Sequence, residues 1–299
     1  MQTAGTSSTA TKTGWLLLKL AVSVACVWYI ASKLNFREAA TALKSARWTF
    51  LIPAFLLYGL SKWVSAIRLQ LYFRNAGIHL PALVNLKIYW LGMFYNLFLP
   101  GSISGDAYKV LMLRNRYNVP VKKISAAVLL DRFSGLLGLG ILLALVSFAV
   151  ALSAYLQVLI AAGAILALLL TYILVKHYFP SFSGSYIQTL LQSLLVQGLQ
   201  MLAVVFILWS LDIHSFLAAY LFIFLLSSAA AVLPVTIGGL GIRELVFLQG
   251  AIWFQSSTEI AVLTSFLFYL LTVLTGVWGI IWVFRPVFPE RDFKKTGTV

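Results

Sequence analysis

The chain has 299 residues, 61% hydrophobic and only 10% charged, with 22 Lys and Arg against 8 Asp and Glu for a formal net charge of +14. No water-soluble domain of this size needs so much apolar sequence, which excludes a soluble enzyme or binding module and predicts a polytopic membrane protein. The positive charge does not argue for nucleic acid: Lys and Arg sit in short connections between apolar runs, where orientation rules and anionic headgroups account for them.

In chain order, the Thr/Ser-rich residues 1–13 predict a disordered N-terminal segment. A first span follows at 14–32 and holds Cys26, the single cysteine, so neither a disulfide nor a thiolate cluster forms within one chain. Ser23 stands where a lipoprotein cleavage site wants a branched aliphatic, and the apolar run continues past Cys26, so the helix reads as uncleaved. Since a helix needs about 20 apolar residues to cross hydrocarbon, further spans are expected at 49–71, 126–152, 155–178, 190–211 and 259–284. Residues 181–193, with Ser181, Ser183, Gln188 and Gln192 among apolar positions, predict an interfacial amphipathic entry to the span at 190–211.

Two shorter apolar helices, 83–99 and 215–233, run straight into breaks. Leu99, Pro100, Ser102, Ile103, Gly105 and Lys109 in the first match Leu233, Pro234, Thr236, Ile237, Gly239 and Arg243 in the second, at the same offsets. Proline and glycine interrupt helices, and hydrocarbon tolerates broken backbone only where it is buried in protein or lines a polar cavity. Each break is followed by another helical piece, which predicts two hairpins of half-helices. The expected fold is therefore all-α: a polytopic membrane protein with about six spanning helices plus two re-entrant or broken helical hairpins in a pseudo-inverted repeat. It forms a single transmembrane domain over 14–285, followed by a short cytoplasmic tail at 286–299.

With a cytoplasmic amino terminus and both hairpins re-entrant, Lys12, Arg68, Arg74, Lys87, Arg114, Arg116, Lys122, Lys123, Lys176, Arg285, Arg291, Lys294 and Lys295 fall on the cytoplasmic side. Only Lys33, Arg37, Lys44 and Arg47 fall opposite, a bias of the kind the positive-inside rule favours, although this charged loop after the first span fits the rule poorly. The hairpins then enter from opposite sides. The rival topology, with 83–99 crossing fully and the amino terminus outside, exchanges these loops.

Ionisable groups at membrane depth cost several kcal/mol unless paired or hydrated, and so mark a pathway. The candidates are Asp106, Lys109, Asp131, Arg132, Arg243 and Glu244, with Gly105, Gly238, Gly239 and Gly241 shaping the turns and Tyr95 and Asn96 lining the first break. Each ionisable residue has two readings. Asp106 either caps the second half-helix or contacts substrate, and Asp131 or Arg132 either pairs with a hairpin residue such as Lys109 or Glu244 or lines the path. A glycine turn opening a half-helix exposes N–H groups and the positive dipole end, which suit a phosphate, and Arg243 and Lys109 add cations, Arg in bidentate fashion. The run Gly135 to Gly140 imitates a nucleotide fingerprint but lies in an apolar span, where close helix packing is expected. Gln192, Ser193, Gln197 and Gln200 are expected to bond between helices. His79, His177 and His214 have no ligand spacing, so no metal and no cofactor is expected.

The pattern at 99–109, followed by Leu129, Leu130, Asp131 and Arg132 and by the run 233–244, resembles the lysylphosphatidylglycerol synthase transmembrane-region family, whose members are often called flippase-like. The resemblance extends over residues 14–285 and puts the family's motif positions on Pro100, Gly105, Asp106, Asp131, Arg132, Pro234, Gly238, Gly239, Gly241, Arg243 and Glu244. Ser104 and Lys109 depart from it, members commonly carrying Gly and Arg there. The resemblance implies a stand-alone member without the soluble synthase domain, located in the cell (inner) membrane, whose partner is a lipid with an anionic or isoprenoid-linked headgroup. It implies lipid transport rather than catalysis; the alternative is an integral-membrane enzyme, or an accessory subunit, in a lipid- or glycan-modifying pathway.

Overall fold

The computed structural model describes residues 28–30, 32–33, 35–98, 104–232 and 241–288. The expected disordered segment, most of the first span with Cys26, the breaks at Pro100 and Pro234 with Gly238 and Gly239, and the tail beyond Phe288 lie outside the described residues. Those described form helices and no strand: α1 (Phe36–Lys44), α2 (Leu51–Asn75), α3 (Ala82–Phe98), α4 (Ser104–Tyr117), α5 (Val121–Ser147), α6 (Ala154–Tyr178), α7 (Pro180–Ser183), α8 (Tyr186–Ser210), α9 (Leu217–Ala230), α10 (Ile242–Trp253), α11 (Thr258–Val277) and α12 (Ile281–Phe284).

Among the described residues, five stretches are long and apolar enough to cross a membrane: Trp48–Asn75, Val121–Ser147, Ala154–Tyr178, Tyr186–Ser210 and Thr258–Phe284. At 1.5 Å per residue each exceeds the ~30 Å of hydrocarbon. They correspond to the second through sixth expected spans. The basic stretch after the first span is not a plain loop. Its residues 36–44 form α1, started by Asn35, whose side chain accepts from the N–H groups of Arg37 and Glu38 at 3.2 and 3.4 Å. Charge on one face and Ala39 buried on the other make α1 an amphipathic helix, which suits a bilayer surface.

Apolar residues gather in two cores with a polar layer between them. One core takes Ala54 and Tyr58 from the first half of α2 together with the second half of α8, α9, α10 and α11. The other takes Leu69, Tyr72 and Phe73 from the last part of α2 together with α3, α4 and the start of α5. Between them α2 carries Ser61, Lys62, Ser65 and Arg68, α5 carries Asp131 and Arg132, and α8 carries Ser193, Gln197 and Gln200. Lys62, Asp131 and Gln197 lie ten or eleven residues inside their helices, about 15–17 Å from the nearer end. Polar atoms at such depth must satisfy one another. The buried hydroxyls of Ser61 and Ser65 do so locally, donating to the carbonyls of Tyr58 and Ser61 at 2.6 and 2.9 Å.

The four half-helices pair as expected, α3 with α4 and α9 with α10. At 17, 14, 14 and 12 residues they measure about 18–26 Å, shorter than the hydrocarbon. Backbones touch where α3 and α4 cross: a Cβ on Gly105 would strike the Gly92 carbonyl, and one on Gly92 would strike the Lys109 side chain that passes over it. Small residues serve helix contact in the membrane in this way. Gly138 likewise admits Ser193 of α8, as expected of the glycine run. The first hairpin sits in the core at the C-terminal end of α2 and the second in the core at its N-terminal end, so they approach the polar layer from opposite ends of that helix.

Arg68 does not stand at a helix end: it is buried within α2, whose helix continues to Asn75. The stretch 181–193 is not an interfacial amphipathic entry either. α7 is a single turn, and Thr189 and Ser193 are buried because α8 turns them toward α2 and α5 rather than toward the surface.

Candidate functional site

A cavity of about 270 Å³ opens in the polar layer. Among the described residues, the helices place Lys62, Arg68, Lys109, Arg132 and Arg243 on its wall with two carboxylates, Asp106 and Asp131. Both hairpins contribute: Tyr89, Met93, Asn96, Asp106 and Lys109 from the first, Ser228 and Arg243 from the second.

The two carboxylates are committed. Asp131 accepts from Arg68 Nε at 2.8 Å, and Arg68 Nη1 also donates to Ser193 Oγ at 2.7 Å, tying α2, α5 and α8 together. Gly135 gives the guanidinium room, since a Cβ there would lie 3.4 Å from both of its terminal nitrogens. Asp106 is shared by two cations, accepting from Lys109 Nζ at 3.0 Å and Arg132 Nε at 2.5 Å. Arg132 thus pairs with a hairpin residue, one of the two readings left open, whereas Asp131 finds its partner on α2.

Two cations on the wall make no ion pair within 4 Å among the described residues, although Glu244 lies near enough to act on Arg243 electrostatically. Lys62 Nζ stands 4.5 Å over the Tyr58 ring, Arg243 Cζ stands 5.2 Å over the Phe268 ring, and those rings meet edge-on with centroids 5.2 Å apart. Aromatic faces stabilise such cations while leaving their N–H groups available. Ser228 Oγ, on the same wall, is buried with no hydrogen-bond partner among the described residues. The chemistry on offer is attraction of an anion with several acceptor oxygens, which Arg can hold bidentately.

Of the sequence candidates, Lys109, Arg132, Asp106, Asp131, Arg243 and Asn96 converge on this cavity. Of the other described candidates, Gly105, Tyr95, Gly241 and Glu244 do not line it. Asp106 is not the cap of α4: its carboxylate is turned to Lys109 and Arg132, and Asn96 Oδ1 takes the Gly105 N–H at 2.9 Å instead. Gly105 serves the α3–α4 crossing. Tyr95 packs edge-on against Tyr108, ring centroids 4.8 Å apart, rather than lining the cavity. Gly241, at φ 92°, adopts a backbone that side chains disfavour and starts α10. Glu244 accepts the Gly241 N–H at 2.7 Å and a bond from Ser265 Oγ at 3.1 Å, so it caps α10 away from the cavity. These two half-helix N–H groups are therefore occupied by Asn96 and Glu244, and the positive character of the cavity comes from side chains. Gly238 and Gly239 lie outside the described residues.

Sequence reasoning missed Lys62, Arg68 and Ser228, and it placed Gln197 and Gln200 only as helix glue. Gln197 Nε2 does reach the Gly135 carbonyl and Gln200 Nε2 reaches Ser61 Oγ, each at 3.4 Å, while both residues also line the cavity. The signal was present in α2: Ser61, Lys62, Ser65 and Arg68 recur at helical spacing inside an apolar run, one polar stripe aimed inward.

The family model described as Lysylphosphatidylglycerol synthase TM region matches residues 16–183, more than half of the chain. The match takes in the first hairpin and the Asp131–Arg132 pair and ends before the second hairpin, short of the 14–285 suggested by the motifs. No curated protein matches the chain significantly.

Proposed function

The chain belongs to the lysylphosphatidylglycerol synthase TM-region family of lipid-related membrane proteins, and from that premise we propose that it moves a lipid with an anionic or isoprenoid-phosphate headgroup between the leaflets of the cell's inner membrane. One observation carries the reading: both hairpins contribute to a cavity at mid-helix depth whose described wall residues include five cations and two carboxylates. An excess of cations at this depth is costly unless an anion visits. With Arg68 held by Asp131, and Lys109 and Arg132 sharing Asp106, the headgroup phosphate binds between Lys62 and Arg243. Hairpins entering from opposite sides, as halves of an inverted repeat, let each leaflet reach the same site in turn. Tails stay in hydrocarbon.

The test is leaflet exchange of a fluorescent anionic lipid in vesicles containing the purified protein. Arg243→Ala abolishes exchange while the variant melts as the wild type does, and the recovered lipid has unchanged mass. Normal exchange by Arg243→Ala overturns the cation assignment. A covalently altered lipid overturns transport in favour of an enzyme.

A further inference from the structure

Two glycines in the seam between α5 and α6 face empty space. In membranes a glycine on a helix contact normally lets a neighbouring backbone approach, yet a Cβ built on Gly140 of α5 or Gly163 of α6 would meet nothing within 4 Å. The seam instead holds an apolar groove of about 380 Å³, walled by Leu136, Leu139 and Gly140 of α5, Gly163 and Ala167 of α6, and Ala229 of α9. α6 stands off the body of the molecule, with Val175 its only buried residue.

The groove adjoins the polar cavity across a shared wall. Leu136 and Leu139 line both, and Ala229 in the groove follows Ser228 in the cavity. Its other ends run on along α6: Phe133, Leu137 and Thr171 also wall an apolar pocket toward α7, and Ile160 also walls one against α9 and α10. A cationic chamber thus lies beside a series of apolar pockets along α6. A soluble anion has no use for such pockets; an amphiphile needs both parts, held together.

Resting on the transport reading for its headgroup site, we propose that the α5–α6 seam is the track for a hydrocarbon chain of the lipid whose anionic head occupies the cavity, and that the lipid enters laterally there. Leu136 and Leu139 form the sill over which head and chain join. Apolar contact along the seam then adds to the headgroup's electrostatic attraction.

The experiment uses the full-length protein in phosphatidylcholine vesicles containing a phosphatidylglycerol with a diazirine midway along one acyl chain. After photolysis, peptide mapping is expected to find the label on α5 and α6, with Gly163→Leu cutting its yield and the rate of leaflet exchange about tenfold or more, a loss of ~1.4 kcal/mol. Gly59→Leu, on α2 where a Cβ also meets open space, lines none of these cavities and leaves both readouts unchanged. Label elsewhere on the protein, or normal yield in Gly163→Leu, overturns the seam. The two proposals fail separately: label in the seam without leaflet exchange supports the groove and rejects transport, whereas exchange indifferent to Gly163→Leu rejects the groove and leaves transport standing.

Discussion

The Arg68–Asp131 pair offers a test of how the polar layer is held. Both side chains are largely buried, at 7% and 13% exposure, and their 2.8 Å contact joins α2 to α5. Replacing Asp131 with Leu strands the guanidinium with Ser193 as its only other partner, and breaking a buried pair from one side costs about 3–5 kcal/mol. At roughly 2–4 °C per kcal/mol for a large domain, the melting temperature of Asp131→Leu falls by about 6–20 °C. Arg68→Met alone falls similarly, because it leaves the carboxylate unpaired. The double variant Arg68→Met/Asp131→Leu removes both charges for side chains of similar volume and is expected to recover most of the loss, since such replacement is often near neutral. Thermal unfolding of the detergent-purified protein, followed by tryptophan fluorescence, measures all four melting points of the cycle. A single variant melting within about 2 °C of the wild type, or a double variant no better than the singles, would refute the pair as a tie between helices.

Gly105→Ala drives a methyl into the Gly92 carbonyl, a backbone contact that no side-chain rotation relieves, and should destabilise by about 1–3 kcal/mol, read as a lower melting temperature. Glu244→Ala removes the α10 cap and should cost about 1 kcal/mol of stability while leaflet exchange continues; loss of exchange at full stability would return Glu244 to the transport path. Ser228→Ala, which deletes a buried hydroxyl with no partner among the described residues, is expected to raise stability by up to about 1–3 kcal/mol, read as a higher melting temperature, and a lower one would contradict its unpartnered state. Asp106→Asn removes the negative charge that Lys109 and Arg132 share and makes the cavity more positive, so titration calorimetry should find inorganic phosphate bound more tightly by up to about tenfold, and weaker binding would contradict the electrostatic account.

Composition and periodicity by themselves determined the class, five of the long spans and the four short helices that flank the motifs, because hydrocarbon demands about 20 apolar residues per crossing and forbids open backbone. They also singled out Asp106, Lys109, Asp131, Arg132 and Arg243, since an ionisable residue in an apolar run stands out wherever it later points. Which of these meet was decided only by the tertiary structure. Arg68 read as a charge at a span's end until α2 continued past it and α5 brought Asp131 alongside. Glu244 read as a transport residue until the turn at Gly241 placed an N–H within its reach, and Tyr95 as a lining residue until Tyr108 packed on it. A linear pattern records the cost of placing a charge in the membrane; the partner that meets that cost comes from a helix often more than sixty residues away, as Asp131 does for Arg68, and only the packing of the helices chooses it.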